Sequence, residues 1–234
     1  MLNSAATTRP IIQNNLLKAS GWHIPVSESQ ILRQDRLLRA VNTVAFNLFS
    51  QENTDFDRTI EHSLGILGRS VNAEQVIIWK NYIEDDKLRA SRFARWNSPE
   101  LINKLFQMVE KPAPGDFLIE EVLPNWKKII KEQSSVYFID KNLHEPFRSI
   151  ALNKGIRSVL LLPVFSKGNY WGFITFFTYT EERFYSNTEK ELLRSGGILI
   201  ASAIENNKNL EELRRARDEA QSAIQTKPEF LSKS

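Results

Sequence analysis

The chain of 234 residues contains no cysteine. That excludes disulfides, zinc–thiolate sites, thiol nucleophiles and cysteine-tethered cofactors at once. Histidine is scarce too: His23, His62 and His144 are the three present, and no two are spaced as metal ligands. Nine glycines include no Gly-x-Gly-x-x-Gly or Walker arrangement, so no phosphate cradle is encoded. Apolar runs are short. Val159–Phe165 and Phe173–Thr178 are the longest, well below the ~18 residues of a membrane span. The opening MLNSAATTRPIIQNN lacks a basic region followed by an apolar core, so it does not read as a signal peptide. An excess of charge is also missing, since 31 basic residues against 28 acidic ones leave a formal +3. The basic groups are interleaved with acids, as on a solvated surface, which argues against a nucleic-acid partner. No nucleophile–base pair can be argued from spacing, so no active site is expected in the chain. These absences together predict a cytoplasmic protein, non-enzymatic as it stands, with no membrane segment in this chain.

What the chain does contain is ordinary globular composition, 41% hydrophobic and 25% charged. Residues 1–27 are polar and unpatterned, with Pro10, Gly21 and Pro25, and are expected to be a flexible lead-in. From Ser27 the apolar positions Ile31, Leu38, Val41, Ala45 and Leu48, widened by Leu37 and Val44, predict an entry helix through residue 54. Phe56, Ile60, Leu64, Leu67 and Val71 predict a second helix, with Asp55 as its cap.

The period then changes. Gln75–Tyr82 and Lys87–Trp96, joined through Glu84-Asp85-Asp86, read as a hairpin. Ser98-Pro99 opens a helix running to Met108. Lys111–Asp116 reads as loop, Asn125–Glu132 as helix, Ser135–Ile139 as strand, and Pro146–Asn153 as helix closed by Gly155. Ser158–Phe165 and Tyr170–Tyr179 form a second hairpin around Ser166–Asn169. Its second strand is apolar on both parities, with Trp171, Phe173 and Phe177 assigned to one face and Ile174 and Phe176 to the other. A strand of this kind belongs in the middle of a sheet with helices over both faces. Ser186 and Glu189 make a capping box for a closing helix.

That closing helix has no obvious end. Leu199, Ala203, Asn206, Leu210, Leu213, Arg217, Ala220 and Ile224 keep a 3-4 rhythm, a heptad seam with polar members. Beyond Asn206 the other faces are polar. An isolated helix of this type is marginal in water, so the expected partner is a second copy. Leu38, Val41, Ala45, Leu199, Ala203, Leu210, Leu213, Ala220 and Ile224 are the candidate dimer residues. In the irregular middle, Phe106, Phe117, Trp126, Tyr137, Phe138 and Phe147 collect. They read as core, or as the apolar walls of a small-molecule pocket with His144 in a nearby loop and Arg148, Asn153 and Arg157 at its rim.

Several of these residues carry a resemblance. Leu152-x-x-Gly155-Ile156-x-Ser158-x-Leu160-x-x-Pro163-Val164, Gly168-x-x-Trp171-Gly172-x-Ile174 and Arg183-x-Tyr185-Ser186-x-x-Glu189 resemble the C-terminal half of a GAF domain, covering about residues 55–206. The resemblance implies an α+β, PAS-related fold: an antiparallel sheet of five or six strands, helices on both faces, and long helices at each end. It implies a sensory module with a pocket between the sheet and the middle segments. It leaves the cofactor unknown. There is no cysteine for bilin attachment and no Asn-Lys-x-x-x-Phe-x-x-x-Asp-Glu signature of cyclic-nucleotide binders, and a haem would need His144 as axial ligand. The tail, Ala216-Arg217-Asp218-Glu219-Ala220 and Thr226-Lys227-Pro228-Glu229-Phe230-Leu231, resembles the run into the phosphoacceptor helix of bacterial sensor histidine kinases. Residues 207–234 are therefore expected to be a coiled-coil output helix leading to a kinase core, kinked near Thr226 by Pro228. A ligand-free dimerisation scaffold, or the regulatory domain of a cyclase, phosphodiesterase or transcription regulator, are the alternatives.

Overall fold

The computed structural model describes residues 28–50, 55–107, 115–139, 151 and 155–226, with backbone alone for 104–107, 139 and 224–226. Contacts divide the chain after Leu32. Of the first unit only the opening of helix α1, Glu28–Phe49, is described. The second unit holds the rest of α1, then α2 (Phe56–Ser70), β1 (Gln75–Glu84), β2 (Lys87–Asn97) and α3 (Pro99–Gln107). It continues with β3 (Asp116–Leu118), α4 (Ile119–Val122), α5 (Trp126–Lys131), β4 (Val136–Ile139), β5 (Ser158–Ser166), β6 (Asn169–Thr178) and α6 (Asn187–Thr226).

Local chemistry sets most of these boundaries. The Asp55 carboxylate accepts from the Arg58 N–H at 3.1 Å and caps α2. Ser98 Oγ does the same for Leu101 at the start of α3. At α6 the box is complete: Glu189 N–H donates to Ser186 Oγ at 3.2 Å, and Ser186 N–H donates to the Glu189 carboxylate at 2.8 Å. Both hairpins close through two residues at positive φ, Asp85 and Asp86 in the first, Lys167 and Gly168 in the second. Such turns match the right-handed twist of the strands.

The six strands form one sheet, in the order β3-β2-β1-β6-β5-β4. All five pairings are antiparallel. β6 lies in the interior of the sheet, as its two-sided apolar pattern predicts. One face is covered by α1, α2 and α6: Leu37, Val44, Ile60, Leu64, Leu193, Ile200 and Ile204 pack on Val76, Ile78, Leu162, Ile174 and Phe176. Each such large aliphatic side chain stabilises the fold by ~1.5–3 kcal/mol. The other face carries Ile77, Trp79, Ala90, Leu161 and Phe173 under α4 and α5.

Two bulges change the expected faces. Ile78 pairs with Ala94 but Trp79 with Arg92, so Phe93 is an extra residue in β2. Val164 pairs with Gly172 but Phe165 with Tyr170, so Trp171 is an extra residue in β6. Simple alternation puts Trp171 with Phe173 and Phe177. The bulge turns it instead to the helix-covered face, where its ring meets that of Phe93 at 6.4 Å between centroids. The sheet also forks here. β1 pairs with β6 only as far as Lys80–Gly172, and beyond it each hairpin runs on without the other.

Strand β3 and helix α4 were not expected from the sequence, which reads residues 111–116 as loop and assigns nothing to 117–124. Three residues of strand are too few for a period-2 signal, and pairing with Arg89–Ser91 makes this segment a strand. The expected helix over Pro146–Asn153 lies outside the described residues except at Ala151, which is helical and buried, and the kink at Pro228 lies outside them.

Candidate functional site

On the face opposite the long helices, Trp79 is the centre. Its ring meets Phe117 edge-on at 4.9 Å and stacks with Phe173 at 5.9 Å. Its indole Nε1–H donates to Thr175 Oγ1 at 3.0 Å, so a buried donor is satisfied within the sheet. Trp126, Ile129, Val136, Phe138 and Tyr170 pack around this group, partly buried.

Two guanidinium groups belong to the same face. Register places Arg92 opposite Trp79 and Arg95 opposite Ile77. Directly opposed residues share a face. The β2 bulge brings both arginines onto the side that a strict alternation would give to one of them. Arg92 is tied to β3 through its backbone, whose N–H donates to the Gly115 carbonyl at 2.7 Å. Its Nη1 is buried without a hydrogen-bond partner. Burial lowers the affinity of this group for its proton, and the positive charge of Arg95 lowers it further. Neither side chain has an ion pair among the described residues. Further out, Arg89 donates from Nη2 and Nε to Asp116 Oδ1 at 2.6 and 3.0 Å, and the Tyr82 hydroxyl donates to Asp116 Oδ2. That neighbouring arginine of β2 is satisfied, unlike Arg92.

The structure gathers some of the sequence-predicted residues and separates others. Phe117, Trp126 and Phe138 fall in the Trp79 cluster. Tyr137 does not: it alternates with Phe138 along β4 and points to the opposite face, toward Phe184 and Tyr185 at 5.5 and 6.4 Å. Arg157 is exposed at the entry to β5, where its N–H donates to the Thr178 carbonyl at 2.8 Å. His144, Phe147, Arg148, Asn153 and the Phe106 side chain lie outside the described residues. Sequence reading missed Trp79, Arg92 and Arg95. The signal for the arginines was a charged pair, Arg92 and Arg95, in a strand whose spacing only a bulge makes coherent.

The candidate dimer residues divide as well. Val41 and Ala203 are buried in the chain's own core, and Leu199 packs against it. Up to Ile204 the 3-4 rhythm of α6 is the face laid on the sheet, so these positions are occupied within the protomer. Leu38, Leu210 and Leu213 are exposed, by 47%, 53% and 68%, and can meet a second chain. Ala45 is half-buried and Ala220 exposed, while the Ile224 side chain is outside the described residues. The expected boundary at 206 falls inside α6, which is continuous for 40 residues; there burial ends, but the helix does not.

The fold assigns the chain to a class of regulatory domain, and the comparisons name the family. The family model described as "GAF domain" matches residues 55–204, and the chain belongs to this family. Among curated proteins the chain is 29% identical over 199 residues to the methanogenesis regulatory histidine kinase FilI of Methanothrix harundinacea (strain 6Ac). That match covers 83% of this chain but 21% of the relative, so the chain spans about a fifth of that kinase. Among solved structures, the phycocyanobilin-bound GAF domain of a cyanobacterial phytochrome superposes with a TM-score of 0.54 at 14% identity, covering 73% of this chain and 93% of that one. The GAF domain of a phosphoenolpyruvate-protein phosphotransferase (ptsP) from Coxiella burnetii gives 0.55 at 12%, covering 76% and 98%. These likenesses show the fold. No helix among the described residues is long and apolar enough to cross a membrane.

Proposed function

We propose that this chain is the input domain of a sensor histidine kinase, and that the Trp79 face receives a small acidic ligand. The observation that carries the ligand reading is the Arg92–Arg95 pair, two like charges on a half-buried apolar face with no ion-paired carboxylate among the described residues. A ligand acid would neutralise both, and the guanidinium fork suits a carboxylate or phosphate held in two contacts. Phe117, Trp126 and Phe138 would supply the apolar walls. The likeness to a regulatory histidine kinase supports the output side of the reading. In the homodimer we propose, a ligand that shifts the sheet against α1 and α6 alters the two-helix seam through Leu210 and Leu213. That is a change between packings close in energy.

A thermal-shift screen of small carboxylic and phosphoric acids tests the ligand half. At least one acid should raise the melting temperature of the native chain, and R92M should remove that shift. If acids give no shift, or shift R92M equally, the face is not an acid site. The packing of Trp79, Phe117 and Phe173 on one another favours a second reading, a ligand-free dimerisation scaffold whose own aromatics fill the face. That reading predicts no ligand shift at all.

A further inference from the structure

The fork in the sheet opens a second place for a ligand, at the parted end of the sheet beside α6. Beyond Lys80–Gly172 the ladder between β1 and β6 ends, yet β1 runs on to Glu84 and β6 begins at Asn169. The two edges that face each other across this gap carry peptide groups with no ladder partner. A cleft of about 380 Å³ lies at this point. It is lined by Lys80, Asn81, Tyr170 and Trp171 of the sheet, by the Ser166–Asn169 turn, and by Glu205, Lys208 and Asn209 of α6.

The chemistry of the cleft is specific. Three lysines, Lys80, Lys167 and Lys208, face one carboxylate, Glu205. Glu205 is engaged, accepting from Ser166 Oγ at 2.6 Å, and Lys208 is shared with Glu212 at 3.5 Å. Lys80 and Lys167 have no ion pair among the described residues. The Nε1–H of Trp171 is buried without a hydrogen-bond partner, while the Asn81 amide, on the Trp79 side of β1, lies against the Tyr170 hydroxyl. The nearby Tyr170 hydroxyl is pushed up to about 12 by burial, eased by the Asn81 amide. An unsatisfied buried donor such as the Trp171 indole is rare in folded proteins and calls for a partner.

We infer that this cleft binds a small multiply charged oxyanion, and that its occupant ties the β5–β6 turn to the output helix. The position makes the site regulatory. Glu205 and Lys208 follow directly on Ile204, the last residue of α6 buried in the core. An anion held between Lys80, Lys167 and Lys208 therefore braces the first turn of α6 that leaves the domain. The inference stands apart from the acid site proposed for the Trp79 face.

The test is a titration of the 234-residue protein with inorganic pyrophosphate, and separately with citrate, followed by the ¹⁵N–¹H resonance of the Trp171 indole. W171F assigns that resonance. Saturable shifts are expected, weakened at least tenfold by K167Q, whose side chain is exposed on the turn, and further by K80Q/K167Q. Amide exchange at residues 205–213 should slow on binding. A response to pyrophosphate alone assigns a phosphoryl ligand, and a response to citrate alone a carboxylate. R92M should leave the titration unchanged. Absence of a saturable shift, equal binding by K80Q/K167Q, or loss of binding in R92M overturns the inference.

Discussion

Gly172 faces the carbonyl oxygen of Trp79 so closely that a β-carbon at position 172 would stand 2.0 Å from it. This is the last pairing between the two halves of the sheet, and it sits between the two bulges. Glycine is required there by space. At Gly168, with φ of +81 and nothing within 4 Å, it is required by backbone conformation alone.

G172A should therefore cost about 3 kcal/mol, since the carbonyl it meets cannot swing away as a side chain could. G168A should cost about 1 kcal/mol. Urea unfolding of the two variants beside the parent chain measures both. Equal losses would mean that the strands separate freely at the fork.

The capping box of α6 is coupled to a buried ion pair. Glu189 accepts from the Ser186 backbone and also from Arg183 Nη2 at 2.7 Å, with both charged side chains largely buried. E189A leaves Arg183 charged and unpaired and should destabilise the domain by about 3–4 kcal/mol. S186A removes one capping bond and should cost about 1 kcal/mol. Thermal unfolding of both variants would show the difference. A small effect of E189A would mean that Arg183 finds another acceptor.

Arg92 should behave in the opposite sense. Replacing an unpaired, half-buried guanidinium by methionine keeps the packing and removes the cost of a desolvated charge. R92M is expected to be more stable than the parent by about 1 kcal/mol in the absence of ligand, as sites kept for function often are. A loss of stability would reveal a structural role for Arg92.

Alkaline pH should weaken the fold through its buried tyrosines. Burial raises the hydroxyls of Tyr170, Tyr179 and Tyr185 above their ordinary value, that of Tyr170 to about 12. A hydroxyl that holds its proton more tightly when folded contributes fully below the unfolded value near pH 10. The contribution is lost as pH rises from there toward 12, because the unfolded chain then binds fewer protons. For Tyr170 alone the loss amounts to about 3 kcal/mol. Tyrosinate absorbance should lag behind that of free tyrosine until circular dichroism reports unfolding. Stability falling between pH 7 and 9 would point to other groups.

The exposed leucines of α6 supply the test of assembly. L210E/L213E should convert the dimer we propose to a monomer in light scattering. The melting temperature of the domain should stay within about 2 °C, because neither residue touches the core and surface changes shift stability little. A monomeric parent chain, or a dimer untouched by the change, removes the seam from the proposal.

How much of this was legible beforehand depended on the distance over which the cause acts. Asp55, Ser98 and the Ser186–Glu189 box announce helix starts because each bond spans three residues of chain. Glu84–Lys87 and Ser166–Asn169 announce hairpins for the same reason. Two-sided apolarity placed β6 inside the sheet. The GAF family was readable from residues 152–189 because that half is built of such local signals. What a residue faces was less legible. Trp171 and Tyr137 were grouped with partners that lie across the sheet, and Val41 and Ala203 were assigned to a seam while they serve the chain's own core. A heptad rhythm and the inner face of an amphipathic helix look alike in one dimension, since both repeat every three or four residues.

The amino-acid order by itself determined most of the described elements, their caps and turns, though not β3 and α4, and the absence of cysteine chemistry, all of which follow from neighbours along the chain. The tertiary structure alone decided where the bulges fall at Phe93 and Trp171, and with them which face receives Arg92 and Arg95. It also decided that the sheet parts beyond Gly172. Each bulge lies within one hairpin, but its place is fixed by the pairing of the two hairpins through β1 and β6, from Gln75–Phe177 to Lys80–Gly172. No window of local sequence contains both sides of that pairing.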